Sequence, residues 1–278
     1  MIPAVNLLLA NLFKKLCLIA LLALLQACST LVATPTSPAA DNAVATSANS
    51  AISKEAAHAA WTRVLAQFVN DQGWVDFAAL AAEPADLHTY VRYIARTPAQ
   101  DIADAQERLA HHINAYNALS MFNVVDLGVP KSNASLVSRY TFFIARKHTI
   151  GGQALSLHAY ENEVIRKLGE PRIHWALNCS SASCPVLPRV PFASALLEQQ
   201  LQAESIKFFS DPRNMRIDDD ARTVYLSEIL SFFTEDFTPS HAPSLIAYAN
   251  RYAPVAANTS YQVRFTPYDW TIANWKRQ

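Results

Sequence analysis

Residues 103–127 read as one long helix that is apolar on nearly every side beyond Leu109. A helix on a protein surface keeps a polar face, and one without it is normally buried. The rest of the chain therefore has to enclose this segment. Gly128 and Pro130 come after its last turn, as expected where a left-handed cap and a residue that cannot continue the helix close it. Asn114 and Asn117 stand three apart, hence on one face. Buried amides need hydrogen-bond partners, so this pair either ties down the backbone of a loop or lines a site.

Other segments supply the enclosure. Trp61, Val64, Leu65 and Phe68 fall at helical spacing. Gly73 ends that helix, residues 74–77 read as a short strand, and 80–96 as a further helix. Thr97-Pro98-Ala99-Gln100 offers a cap, a first-turn proline and a capping glutamine for the next helix. Residues 142–150 and 154–157 read as strands turning at Gly151-Gly152. Residues 158–168 are expected to be helical with Gly169 as the cap, and Pro191 to open a long helix through Phe209. Residues 216–226 read as a hairpin around the solvated Asp218-Asp219-Asp220 turn. Helices are expected at 228–237 and 243–252, and a last strand at 261–265. There is no internal repeat. Helix dominates and the strands are short hairpins, which gives an α+β, mainly helical single domain over 53–278.

The amino-terminal part has a different texture. Residues 1–27 contain no acid, carry Lys14 and Lys15, and continue into an apolar run from Leu16 to Leu25. That run is too short to span a bilayer but suits the core of a signal peptide. It ends in Leu25-Gln26-Ala27-Cys28, which resembles the bacterial lipobox. The resemblance implies lipidation of Cys28, with 1–27 removed and Ser29 favouring the outer membrane. Multiple acyl chains would anchor the protein stably. The other readings of these residues are a membrane-spanning anchor, or Cys28 as an ordinary secreted cysteine. Residues 29–50 are nearly all Ala, Thr, Ser, Pro and Asn, and 28–52 is expected to be a flexible tether.

Composition removes several function classes. Twenty-three basic residues balance 23 acidic ones, so no basic patch advertises a nucleic-acid partner. The five glycines form neither a dinucleotide fingerprint nor a P-loop. No GxSxG elbow and no HExxH motif occur. No cofactor and no metal is expected: His174, Cys179 and Cys184 would supply three ligands, but at a spacing that fits no zinc pattern.

The remaining chemistry concentrates in HWALNCSSASCP, residues 174–185. Cys179 and Cys184 can form a disulfide, structural or redox. Alternatively Cys179 is a nucleophile activated by a nearby histidine, or both are small apolar residues in a packed loop. If 174–179 were a strand, odd spacing would put His174 and Cys179 on opposite faces. A bend near Asn178 would let them meet. Glu161 and Arg172 are candidates for a buried polar network, or for surface ion pairs.

Several segments together resemble the domain-of-unknown-function 547 family: INAYNAL (113–119), IGGQALSLHAYENEVIR (150–166), PRIHWALNCSSASCP (171–185), FFSDPRNMRI (208–217), LSEILSFFTEDF (226–237) and YDWTIAN (268–274). They occur in the family's order. Its motif residues fall here on Asn114, Tyr116, Asn117, Glu161, Arg172, His174, Asn178, Cys179, Ser183 and Cys184. The resemblance implies a shared pocket or polar network but no reaction. Ser180-Ser181-Ala182 replaces a more glycine-containing stretch, so a glycine turn does not present Cys179.

Two functions are expected from these features. One is a lipid-anchored envelope enzyme for acyl transfer or amide hydrolysis, with Cys179 as nucleophile, His174 or another histidine as base, and Asn178, Asn114 or backbone amides holding the oxyanion. The other is a non-enzymatic periplasmic binding or structural module with a bridged Cys179–Cys184 loop. In both, the membrane is contacted through the N-terminal lipid.

Overall fold

The structure is a computed structural model that describes residues 30–35 and 52–275. Cys28, the signal segment and most of the expected tether lie outside the described residues.

The long helix forms over Ala105–Asp126. It is capped by Asp104, whose carboxylate accepts from the Glu107 N–H at 2.6 Å, not by the Thr97-Pro98 cap, which starts only the short 3₁₀ turn Ala99–Asp101. An Asp with a Glu three residues on satisfies the first orphan amides more completely, and this fixes the start. All residues from Ala110 to Val124 are buried. Three helices pack around it: Lys54–Phe68, Phe77–Ala82 and Ala85–Arg96. The expected single helix over 80–96 is thus two, parted at Pro84. Val75 makes isolated bridges to Val69 and Asn274 in place of a strand. Trp61 stacks on Tyr90 at 5.3 Å inside this first core, which extends through Ile113, Leu119 and Phe142.

The expected strand over 142–150 is helical in its first half. Ser135 caps Leu136–Tyr140 by accepting from the Ser138 N–H at 3.0 Å. The chain then widens into a π-helical turn, Thr141–Ala145, and Asn123 donates to the Phe142 carbonyl at 2.9 Å. A cap and a buried amide override the strand propensity of this aromatic stretch. The hairpin itself stands as expected: Arg146–Ile150 pairs antiparallel with Gln153–Ser156. Thr30–Leu31 adds a parallel third strand, Thr30 opposite Arg146. The tether reading therefore fails at its start. Leu31 and Val32 are the apolar exception in that stretch, and Val32 is buried.

A second sheet joins Met215–Asp218, Thr223–Ser227 and Gln262–Thr266, the last pair parallel. It packs with helices Leu197–Ser210 and Leu245–Ala249 around a second core centred on Trp175. That indole stacks on Phe208 at 4.1 Å and on Phe237 at 5.4 Å. The 3₁₀ turn Pro171–Trp175 threads between the cores: Ile173, Ala176 and Leu177 belong to the first, Trp175 to the second. The α+β, mainly helical class stands. Among the described residues no helix is long and apolar enough to cross a membrane.

Three buried histidines make this fold acid-sensitive. Burial lowers His111 to about 3 and His148 to about 3, and lowers His112 to about 4. Below pH 6.5 the unfolded chain protonates these rings and the folded chain does not. The stability they lend is full above the unfolded value and is lost as pH falls toward 4. Each contributes a slope of up to about 1.4 kcal/mol per pH unit. The melting temperature should drop steeply between pH 6.5 and 4, before most carboxylates titrate, and a flat profile there would contradict the buried placement.

Candidate functional site

Four side chains along the central helix, Asn114, Asn117, Ser120 and Asn123, recur every third residue and are all buried. Each holds backbone or side chains from elsewhere in the chain. Asn114 accepts from the Trp61 indole N–H at 3.1 Å and the Phe192 N–H at 3.0 Å, and donates to the Phe192 carbonyl at 2.8 Å. Asn117 donates to the Ala176 carbonyl at 3.0 Å and accepts from the Asn178 N–H at 2.7 Å. The Ser120 and Ser180 hydroxyls lie 2.9 Å apart. Asn123 holds Phe142 and accepts from Arg146 Nε at 3.0 Å.

Asn117, Ser120 and Asn178 together shape the cysteine loop. Asn178 Nδ2 donates to the Pro185 carbonyl at 2.8 Å and its Oδ1 accepts from the Ser180 N–H at 2.8 Å. Ser180 takes φ +64°, the left-handed region that glycine usually fills. A serine held by Ser120 thus makes the turn. Ser183 Oγ accepts from the Asp269 N–H at 2.9 Å, pinning the far end of the loop to the chain's last stretch.

The loop presents both thiols to one phenol. Tyr268 Oη lies 3.2 Å from Cys179 Sγ and 3.0 Å from Cys184 Sγ. Both cysteines are free thiols. The Cys179 N–H donates to Cys184 Sγ at 3.0 Å, and Ser181 Oγ lies 3.5 Å from Cys179 Sγ. Hydrogen bonding from Cys184 lowers Cys179 to about 6 against the opposing effect of burial, with Ser181 and Tyr268 adding to it. Burial pushes Cys184 and the Tyr268 phenol well above their ordinary values. The two thiols are thus pushed in opposite directions, Cys179 down and Cys184 up.

These groups face a cavity of about 910 Å³, whose wall also contains Tyr116, Glu161, His174 and Arg166. Tyr116 donates to Glu161 Oε2 at 2.8 Å. Burial raises the Glu161 carboxyl above its ordinary value. His174 is buried, stacks on Phe233 at 4.3 Å, and places Nε2 2.7 Å from Asp236 Oδ2. Asp236 also accepts from Arg166 Nε at 2.6 Å. Burial alone would raise Asp236, but bonds from His174 and Arg166 overcome it and hold the carboxylate far below its usual range.

Of the ten sequence-derived residues, Tyr116, Glu161, His174, Cys179 and Cys184 line the cavity. Asn114, Asn117, Asn178 and Ser183 stand behind it and hold loops. Arg172 lies apart, bonded to Glu170 and Glu198. His174 makes no hydrogen bond to either thiol. Tyr268, Asp236, Arg166 and Trp270 were missed by residue-level reading. Their signal was present, since Tyr268 opens the YDWTIAN segment and Asp236 sits in LSEILSFFTEDF.

Residues 100–209 match the family model described as protein of unknown function, DUF547. The match takes in the central helix, Glu161, His174 and both cysteines. No curated protein and no solved structure matches the chain.

The loop's dependence on Asn117 is measurable. Asn117→Ala strands a buried N–H and a buried carbonyl, each worth about 1–3 kcal/mol. Urea unfolding should show a loss of about 2–4 kcal/mol with little change in slope. A loss below about 1 kcal/mol would mean the loop is held by other contacts.

Proposed function

We propose that this protein is a lipid-anchored enzyme of the bacterial cell envelope that uses Cys179 for acyl transfer or amide hydrolysis. The observation that carries the reading is the placement of the Cys179 thiol on the cavity wall, with Ser181 Oγ and Tyr268 Oη beside its sulfur. A thiolate present at neutral pH attacks carbonyls without a base to deprotonate it first.

The residues around it divide the remaining work. Attack forms the S–C bond and moves charge from sulfur to the carbonyl oxygen. Tyr268 Oη–H, already beside the sulfur, tracks that charge as an oxyanion donor. The Asn114 and Asn178 amides are committed to loop backbone, so they do not fill the oxyanion role first expected of them. Glu161, on the same wall and with its carboxyl raised above its ordinary value by burial, is assigned the proton given to the leaving group as its bond to the acyl carbon breaks. Water then cleaves the thioester: His174, oriented by Asp236, takes a proton from it, and the thiolate and a carboxylic acid are released. His174 returns the proton to Glu161 through solvent. An amine or hydroxyl in place of water makes the same sequence a transfer.

The anchor reading supports an envelope location. Thr30, two residues beyond Cys28 in the sequence, is already paired with Arg146. A lipid on Cys28 would therefore tie the enzyme close to the outer-membrane surface, on its periplasmic face.

Acyl-enzyme trapping tests the reaction. Brief exposure to an activated ester such as p-nitrophenyl butyrate, then acid quench and mass spectrometry, should give one acyl addition on Cys179. Cys179→Ala should show none. Equal labelling of the variant, or none in the native chain, would reject the nucleophile.

A further inference from the structure

The same cavity says what kind of molecule it takes. Its mouth is formed by Leu136 and Val137 of the helix Leu136–Tyr140, by Ile144 of the adjoining π turn, and by Phe232. Leu136 and Val137 are 78% and 76% exposed, Ile144 42% and Phe232 43%. Four large apolar side chains gathered on one rim are unusual on a protein surface and mark a binding site. Phe143 and Trp270 continue the apolar wall inward, edge to face at 6.0 Å.

One guanidinium breaks this apolar wall. Arg139 lies over the Trp270 ring at 4.9 Å. Its Nε is buried and has no hydrogen-bond partner. Among the described residues no carboxylate pairs with Arg139, whereas Arg166 on the opposite wall is satisfied by Glu235 and Asp236. A buried donor atom without an acceptor is costly, and an anion reaching the half-buried Arg139 guanidinium from the cavity would fill it. From Arg139 the wall runs through Trp270 to Tyr268, ring to ring at 4.5 Å, and so to Cys179.

We propose that the cavity binds an amphiphile with one unbranched acyl chain joined through an ester or amide to an anionic head, carboxylate or phosphate, the chain along the apolar rim and the head on Arg139. This deepens the acyl-transfer reading, which it rests on for the role of Cys179, by naming the substrate class. The cavity volume of about 910 Å³ falls within the range of small-molecule sites.

Displacement of the fluorescent fatty acid cis-parinarate reads binding without chemistry. The full chain carrying Cys28→Ser is used, so that no covalent lipid competes. Laurate and lauryl phosphate should both displace the probe, each about tenfold better than dodecanol, and acetate or inorganic phosphate alone should not. The ranking of the two heads tells a carboxylate-headed ligand from a phosphate-headed one. Affinity should rise about threefold per added methylene. Arg139→Gln should abolish the advantage of the charged heads and leave the chain-length dependence. Leu136→Ser with Val137→Ser should do the reverse. Absence of displacement, or Arg139→Gln without effect, overturns the ligand. Acyl trapping on the same sample reports separately on the Cys179 reading, so failure of one is distinguishable from failure of the other.

Discussion

The hydrogen-bonded ladder on the central helix is the constraint on which the site depends. Asn114, Asn117, Ser120 and Asn123 are the polar exceptions on its deeply buried stretch that reach out to loops. Each is satisfied by groups from elsewhere in the chain: Phe192, Ala176 with Asn178, Ser180, and Phe142 with Arg146. Buried polar groups are costly unless paired, so the helix can be enclosed only when those loops arrive. Their arrival builds the site. Asn117 and Ser120 hold the two ends of the turn that displays Cys179, and Asn123 holds the segment that becomes the cavity rim.

Electrostatics then separate two cysteines that look equivalent in sequence. Both sulfurs meet Tyr268, yet hydrogen bonding outweighs burial at Cys179 and lowers it, while burial prevails at Cys184 and raises it. Across the cavity the same logic recurs: bonds from His174 and Arg166 hold Asp236 low, and burial raises Glu161. A thiol with a lowered pKa, an oriented imidazole and a carboxyl with a raised one thus stand around one space, an arrangement suited to acyl chemistry.

Sequence reasoning reached the buried helix, the hairpin at Gly151-Gly152 and the α+β class because apolar periodicity and glycine turns are local signals. Cys179, His174 and Glu161 stand out in the residues themselves and Tyr116 only through the resemblance; the structure puts all four on one cavity wall. Sequence reasoning missed Tyr268 and Asp236 because they come from segments far along the chain, and only tertiary packing brings them to the thiols. The strand expected over 142–150 failed for a related reason: Ser135 and Asn123, neither within the segment, decide its first half. Within the stretch expected to be a tether, Thr30 and Leu31 pair with Arg146 and Lys147 and Val32 is buried, contacts that no local pattern signals.

The proposed chemistry depends on Cys179 being a thiolate at neutral pH, made so by its hydrogen-bond donors. Ultraviolet absorbance of the thiolate, recorded against pH in the native chain and in Cys179→Ser, tests this most directly. One thiolate should appear with a midpoint near pH 6, vanish in Cys179→Ser, and move up by about one pH unit in Tyr268→Phe, as loss of a bond to a charged group implies. Two thiolates appearing together near the ordinary cysteine value of about 8.5 would contradict it.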